Sequence, residues 1–225
     1  AGIEHFYEKE TGTLSYIVYC KETKKAAIVD PLLDFDIKPC RWTTKSADAI
    51  LDKCKELGVE VDLLIETHVH ADHLTASHYL QGALEKINGG KKIPVMIGEN
   101  ITKVINYWVP IFNTAADTPA DGKQFDRLLK EGDTFNIGKL NFKVLHTPGH
   151  TPACCSYYCE SEKFALVGDT VFNPEMGNAR ADFPGGSAKT LFESAKKLFA
   201  LGDDVTLLVA HDYPEDGKPV TGVTV

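Results

Sequence analysis

No stretch of this chain mixes Lys and Arg with aromatic residues as a nucleic-acid groove requires, and acidic residues outnumber basic ones 32 to 24, for a formal charge of −8. Nucleic acid is therefore not expected as a partner. Long hydrophobic runs are also missing: none approaches the roughly 20 residues of a membrane span, and the N-terminus lacks a charged segment leading into an apolar one. A soluble protein with no membrane partner is expected. Paired C-x-x-C spacing is missing too. Cys20, Cys40, Cys54, Cys154, Cys155 and Cys159 stand scattered, which argues against a disulfide framework or zinc ribbon and for a reducing compartment, cytoplasm or mitochondrial matrix. The start at Ala1-Gly2, without Met, reads as a cloning scar or the trace of a removed targeting segment.

What is present is 225 residues, 43% of them hydrophobic, enough for one sizeable core. With no repeat and no boundary in sight, a single domain over 1–225 is expected. His5-Phe6-Tyr7, Thr13 to Cys20 and Ala26 to Asp30 read as an antiparallel meander stopped by Pro31. A helix capped by Ser46 and closed by Gly58 carries Ala47, Ile50, Leu51, Cys54 and Leu57 on one face. It feeds a buried strand over Val61 to Glu66, and a second helix begins near Thr75. Ile93 to Ile97 is a strand and Asn100 is expected to cap a short helix through Trp108. A hairpin turns at Gly138-Lys139, and Cys155 to Cys159 and Phe164 to Val167 are the next strands. The irregular stretch from Val171 to Gly186 is too long for a mere connector and reads as a substrate loop. Ser187 caps the final helix, and Val205 to Val209 is expected to be the last strand. Two sheets covered by outer helices account for this order, an α/β (α+β) class.

The strand over Val61 to Glu66 delivers Thr67-His68-Val69-His70-Ala71-Asp72-His73. Four candidate metal ligands within six residues are costly unless something binds them, because such groups repel when charged and need partners when buried. His150, Asp169 and His211 likewise sit just after strands. Strand ends that point one way converge at one rim, so residues far apart in sequence can meet at one ion. His5, His78 and His146 have no such context and read as bystanders.

Taken together, His68, His70, Asp72, His73, His150, Asp169 and His211 resemble the H-x-H-x-D-H, His, Gly-Asp, His pattern of the metallo-β-lactamase superfamily. The resemblance implies an αββα sandwich of two mixed sheets with a metal at its edge. Glu10 to Tyr16, Asp30-Pro31-Leu32-Leu33-Asp34, Gly177 to Phe183 and Ala210-His211-Asp212-Tyr213 are similar to persulfide dioxygenases of that superfamily. That likeness implies one Fe(II) per chain on His68, His150 and Asp169, with His70, Asp72, His73 and His211 as a polar shell. Two His and one carboxylate leave three positions open on the ion. Glutathione persulfide and O2 are then the substrates, sulfite and glutathione the products, and a homodimer the implied assembly. Arg180 is expected to clamp a glutathione carboxylate, the competing reading being a salt bridge to Asp182. Tyr213 is expected to hydrogen-bond a ligand or substrate.

A rival reading is a binuclear enzyme with two Zn(II) per chain, a thioester hydrolase similar to glyoxalase II. There His68, His70 and His150 hold one ion, Asp72, His73 and His211 the other, and Asp169 bridges. A lactonase on the same ligands is a variant of it. A further rival is a metal- and thiol-binding scaffold without turnover. Glyoxalase II carries a C-terminal helical domain for which this chain ends too soon, and persulfide dioxygenases continue past His-Asp-Tyr. A chain cut short at Val225 is therefore expected.

Overall fold

A computed structural model describes residues 1–214, 218–220, 223 and 224; Val225 lies outside them. Strands β1 (Gly2–Glu8), β2 (Thr13–Tyr19) and β3 (Lys25–Val29) form the expected antiparallel meander. Strands β4 (Leu32–Asp36) and β5 (Arg41–Thr43) precede helix α1 (Lys45–Leu57), and β6 (Glu60–Ile65) follows it. The chain continues through β7 (Leu74–Thr75), α2 (Ser77–Ile87), β8 (Val95–Gly98), α3 (Ile101–Phe112) and β9 (Arg127–Leu129). Then come β10 (Thr134–Ile137), β11 (Leu140–His146), β12 (Cys155–Cys159), β13 (Phe164–Gly168), α4 (Ala188–Phe199), β14 (Thr206–Val209) and β15 (Val223–Thr224).

Among the described residues the strands make two six-stranded mixed sheets, ordered β1-β2-β3-β6-β8-β9 and β10-β11-β12-β13-β14-β15, and a small third one, β5-β4-β7. In the first sheet β3, β6, β8 and β9 run parallel, and in the second only the β13–β14 pair does. The period of two along each strand sorts its side chains between two layers. Leu14, Tyr16 and Val18 of β2 meet Phe142, Val144 and Tyr157 of the second sheet in the central core. Their alternates, Ile17 and Tyr19, pack with Ile50 and Cys54 of α1 and Leu80 and Leu84 of α2. Helix α4 adds Ala195 and Leu198 to the central cluster. This is the two-sheet, helix-covered sandwich expected from the sequence.

Several local expectations need correction. Ser46 does not cap α1; it lies inside the helix, where its Oγ donates to Asp34 Oδ1 at 2.6 Å. Asn100 precedes α3 with helical dihedrals and makes no side-chain capping bond, and α3 runs on past Trp108 through Pro110. The strand after α4 is not the last, because β15 pairs with it antiparallel. Ser187, by contrast, caps α4 as expected, its Oγ accepting from Thr190 N.

The two sheets are stitched together at one rim. Leu14 N of β2 donates to Ala210 O just after β14, and Cys155 N and the Tyr157 hydroxyl of β12 donate to Thr67 O and Glu66 O at the end of β6. Gly168 permits this approach: its φ is +54°, and a Cβ there would lie 2.7 Å from Thr67 Oγ1. Among the described residues no helix is long and apolar enough to cross a membrane.

Candidate metal centre

His68 leaves the end of β6 and is 1% exposed. Its Nδ1 lies 3.0 Å from Thr67 Oγ1, whose own proton goes to Asp30 Oδ2 at 2.7 Å. Thr67 oxygen therefore accepts from His68 Nδ1–H, and the lone pair is left on Nε2. That nitrogen is buried without a hydrogen-bond partner. It points at Asp169 Oδ2, 3.7 Å away, and His150 Nε2 stands 3.5 Å from the same oxygen. His150 is fixed in the same manner, its Nδ1 donating to the Arg180 carbonyl at 2.8 Å. His68, His150 and Asp169, all buried, offer three ligand atoms within 4.8 Å of one another. Donor atoms sharing an ion at about 2.1 Å stand about 3.0–3.5 Å apart, so a small contraction lets the trio hold one. The orphaned His68 nitrogen is what makes the fit specific, since a buried polar atom without a partner is costly unless a ligand completes it.

The remaining sequence-predicted residues gather around this trio. His211 places Nδ1 2.7 Å from Asp169 Oδ1 and Nε2 2.8 Å from Asp72 Oδ2. Carboxylates only accept, so both nitrogens donate. Burial opposes the charged ring, but the hydrogen bonds to Asp169 and Asp72 outweigh it and hold the His211 imidazole up at about 9. His73 stacks on His70 at 4.3 Å, and burial followed by the neighbouring His70 lowers it to about 4. His70, Asp72 and His73 form a second set of candidate ligand atoms within 4.8 Å, more exposed than the first. Tyr213 is half-exposed and stacks on His211, with ring centroids 5.9 Å apart. Burial and then Asp169 push its hydroxyl up to about 12. Gly12, with φ +72°, makes room for that ring. Arg180 pairs with Asp182 through Nε and Nη2 at 2.6 and 2.8 Å and lies over Phe183, the local pairing weighed from the sequence. His5 and His78 are exposed, as expected of bystanders.

Two buried carboxylates escaped the sequence reading. Asp30, after β3, accepts from both Thr67 N and Thr67 Oγ1 and lies 3.3 Å from His70 Nε2. Glu66 is 2% exposed and lies 3.7 Å from the same nitrogen. The available signal was an acid at the end of an otherwise apolar strand, in each case beside a turn. A cavity of about 430 Å³ opens over the centre, walled by Phe172, Phe183, Tyr213 and Arg180 and floored by His150, Asp169 and His211.

Residues 9–211 match the model of the metallo-beta-lactamase superfamily. "Glyoxylase B2" of Dictyostelium discoideum is 42% identical over 224 residues, covering 100% of this chain and 74% of that protein. The human mitochondrial persulfide dioxygenase ETHE1 is 29% identical over 212 residues, 94% of this chain and 68% of that one. The crystal structure of ETHE1 from Myxococcus xanthus superposes with a TM-score of 0.72 at 28% identity, covering 100% of this chain and 79% of that one. With a buried His and carboxylate cluster at the sheet rim and a family match over most of its length, the chain belongs to the metallo-beta-lactamase superfamily.

Proposed function

We propose that this protein is an Fe(II)-dependent persulfide dioxygenase acting on glutathione persulfide. The observation that carries this reading is the division within the ligand cluster. Three buried side chains converge on one point, while Asp72 and His211, needed for a second ion, are hydrogen-bonded to each other, and His211 donates to Asp169 as well. The likeness to proteins named persulfide dioxygenase along nearly the whole chain supports it. Bound on two His and one carboxylate, Fe(II) supplies redox chemistry and three open positions, which zinc in a closed site does not.

The chain's own residues orient and shield the reaction. Thr67 and the Arg180 carbonyl fix the two ligand imidazoles, and His211 holds Asp169 Oδ1 so that Oδ2 faces His68 and His150. Phe172, Phe183 and Tyr213 wall the cavity and limit water beside the reacting sulfur. Arg180, aligned by Asp182 and Phe183, presents its remaining N–H groups to a substrate carboxylate. Both atoms of O2 end on the terminal persulfide sulfur, and one water cleaves the S–S bond, so RSSH, O2 and H2O give RSH and sulfite with two protons.

A second reading, a binuclear zinc thioester hydrolase, draws on the rim set of His70, Asp72 and His73, where His70 Nδ1 and His73 Nε2 are buried without hydrogen-bond partners. It also draws on the name of the Dictyostelium relative. Metal analysis of anaerobically purified protein, with oxygen uptake on glutathione persulfide, separates the two. About one iron per chain with sulfite formation is expected. Two zincs with hydrolysis of a glutathione thioester and no oxygen uptake would overturn the dioxygenase.

A further inference from the structure

Glu66 is a buried carboxylate that the reaction above does not use. One of its oxygens, Oε1, accepts from the Ser77 hydroxyl at 2.5 Å and from that of Thr75, which ties it to the start of α2. Were that its whole purpose, the second oxygen would also be satisfied locally. Instead Oε2 is buried with no hydrogen-bond donor, and His70 Nε2 lies 3.7 Å from it. Asp30 Oδ1 approaches the same nitrogen to 3.3 Å. Two acidic oxygens thus stand against one edge of the His70 ring, on the side where β3 and β6 end.

The position of that ring matters to the ion. Its centroid is 4.1 Å from that of His68, yet His70 contributes no atom to the set formed by His68, His150 and Asp169. A modest shift would bring it in as a fourth protein ligand. Three His and one carboxylate form a closed four-coordinate set suited to zinc, whereas two His and one carboxylate leave a face open.

We propose that Glu66 is a positioning residue: with Asp30 it holds His70 back from the ion and keeps the centre at three protein ligands. This rests on the three-ligand reading of the centre given above. The design follows a general pattern in which carboxylates behind a ligand set fix imidazole orientation, here used to withhold a ligand. In Glu66→Gln the amide oxygen stays with the Ser77 and Thr75 hydroxyls, which only that oxygen can serve as acceptor. The NH2 then faces His70 Nε2, replaces an acceptor with a donor, and pushes the ring off its seat.

Cobalt(II) reads the outcome without any turnover, because its visible absorption strengthens severalfold when coordination falls from five or six to four. Apo protein loaded with cobalt is expected to bind one ion per chain with weak bands in the wild type. Glu66→Gln should give a severalfold gain in molar absorbance at the same stoichiometry, and Glu66→Gln/His70→Ala should return to the weak spectrum. Ser77→Ala, which loosens Glu66 and leaves its carboxyl group in place, should give a smaller gain. Wild-type bands unchanged in Glu66→Gln and Ser77→Ala, or strong bands that survive removal of His70, would overturn the role of Glu66 alone. Two cobalt ions per chain in the wild type would instead overturn the three-ligand centre itself. Nitrogen-15 spectra of the zinc-loaded wild type give the same answer without a substitution: His68 and His150 should show metal-ligated nitrogens, and a ligated His70 would sink the proposal.

Discussion

Thr67 shows how much of the centre depends on one hydroxyl. Its oxygen receives the His68 Nδ1 proton while its own goes to Asp30, so one side chain sets both the tautomer and the direction of a candidate ligand. Thr67→Val keeps the shape and removes the relay. Metal affinity should fall by about 10–100-fold, the usual cost of a lost partner behind a ligand. Competition with a chelator measures it, and an unchanged affinity would mean that His68 needs no such guide. Asp169→Ala removes a candidate ligand and a partner of His211 together, so metal content should drop well below one per chain while circular dichroism stays that of the wild type. The candidate ligands that meet at the rim were legible because their spacing after strand ends is visible without coordinates. Asp30 and Glu66 were not, because a carboxylate ending an apolar strand looks the same in sequence whether it turns to solvent or inward.

At the scale of elements, the close packing at the end of β8 makes a sharp prediction. A Cβ on Gly98 would lie 2.4 Å from Cys155 Sγ and 2.9 Å from the Ala153 carbonyl, so Gly98→Ala must push β8 off β12. Overpacking of this kind costs about 1–3 kcal/mol, readable as a lowered urea midpoint. The other end of β8 is held by Asp126, which accepts from Val95 N at 3.0 Å, from Gln81 Nε2 at 2.8 Å and from Lys92. Burial would raise this carboxyl, but Lys92, the Val95 amide and Gln81 outweigh it and hold it below its usual range. A depressed folded-state value means that the contribution is fully present above the unfolded value of about 3.9 and is lost as the pH falls further. The stability gap between wild type and Asp126→Ala should therefore narrow below about pH 4, and a gap independent of pH would refute the assignment. Elements with strong local signals were read correctly: the hairpin at Gly138-Lys139 and the Ser187 cap owe little to distant contacts. Strands β4, β5, β7 and β9 were missed because they are short or partly charged; β4 and β5 pair locally, but β7 and β9 exist through partners about 30 to 40 residues away. Ser46 misled for a related reason, since its hydroxyl serves Asp34 of β4 and not its own helix.

Across the whole molecule, the order of strands and helices was enough for the two-layer sandwich, because β2 and β3 bury side chains on both faces and so demand a covering layer on each. Which rim carries the site was also foreseeable from the strand ends, but the stitching between sheets through Tyr157, Cys155 and Leu14 was not. That stitching bears on what metal removal does. The central core, with Leu14, Phe142, Val144 and Tyr157 all 0% exposed, is built without any ligand atom, so the apo protein should stay folded. It loses only the stabilisation that binding adds to the native state, about 2.7 kcal/mol for an ion present at 100 times its Kd. For a domain of this size each kcal/mol moves Tm by about 2–4 °C, so chelation should lower Tm by about 5–11 °C and leave a cooperative transition. His68 Nε2 and its neighbours then take up water in place of the ion. Calorimetry with and without chelator decides the point: loss of the cooperative transition on chelation would mean that the ion, and not the two-sheet core, holds the rim together.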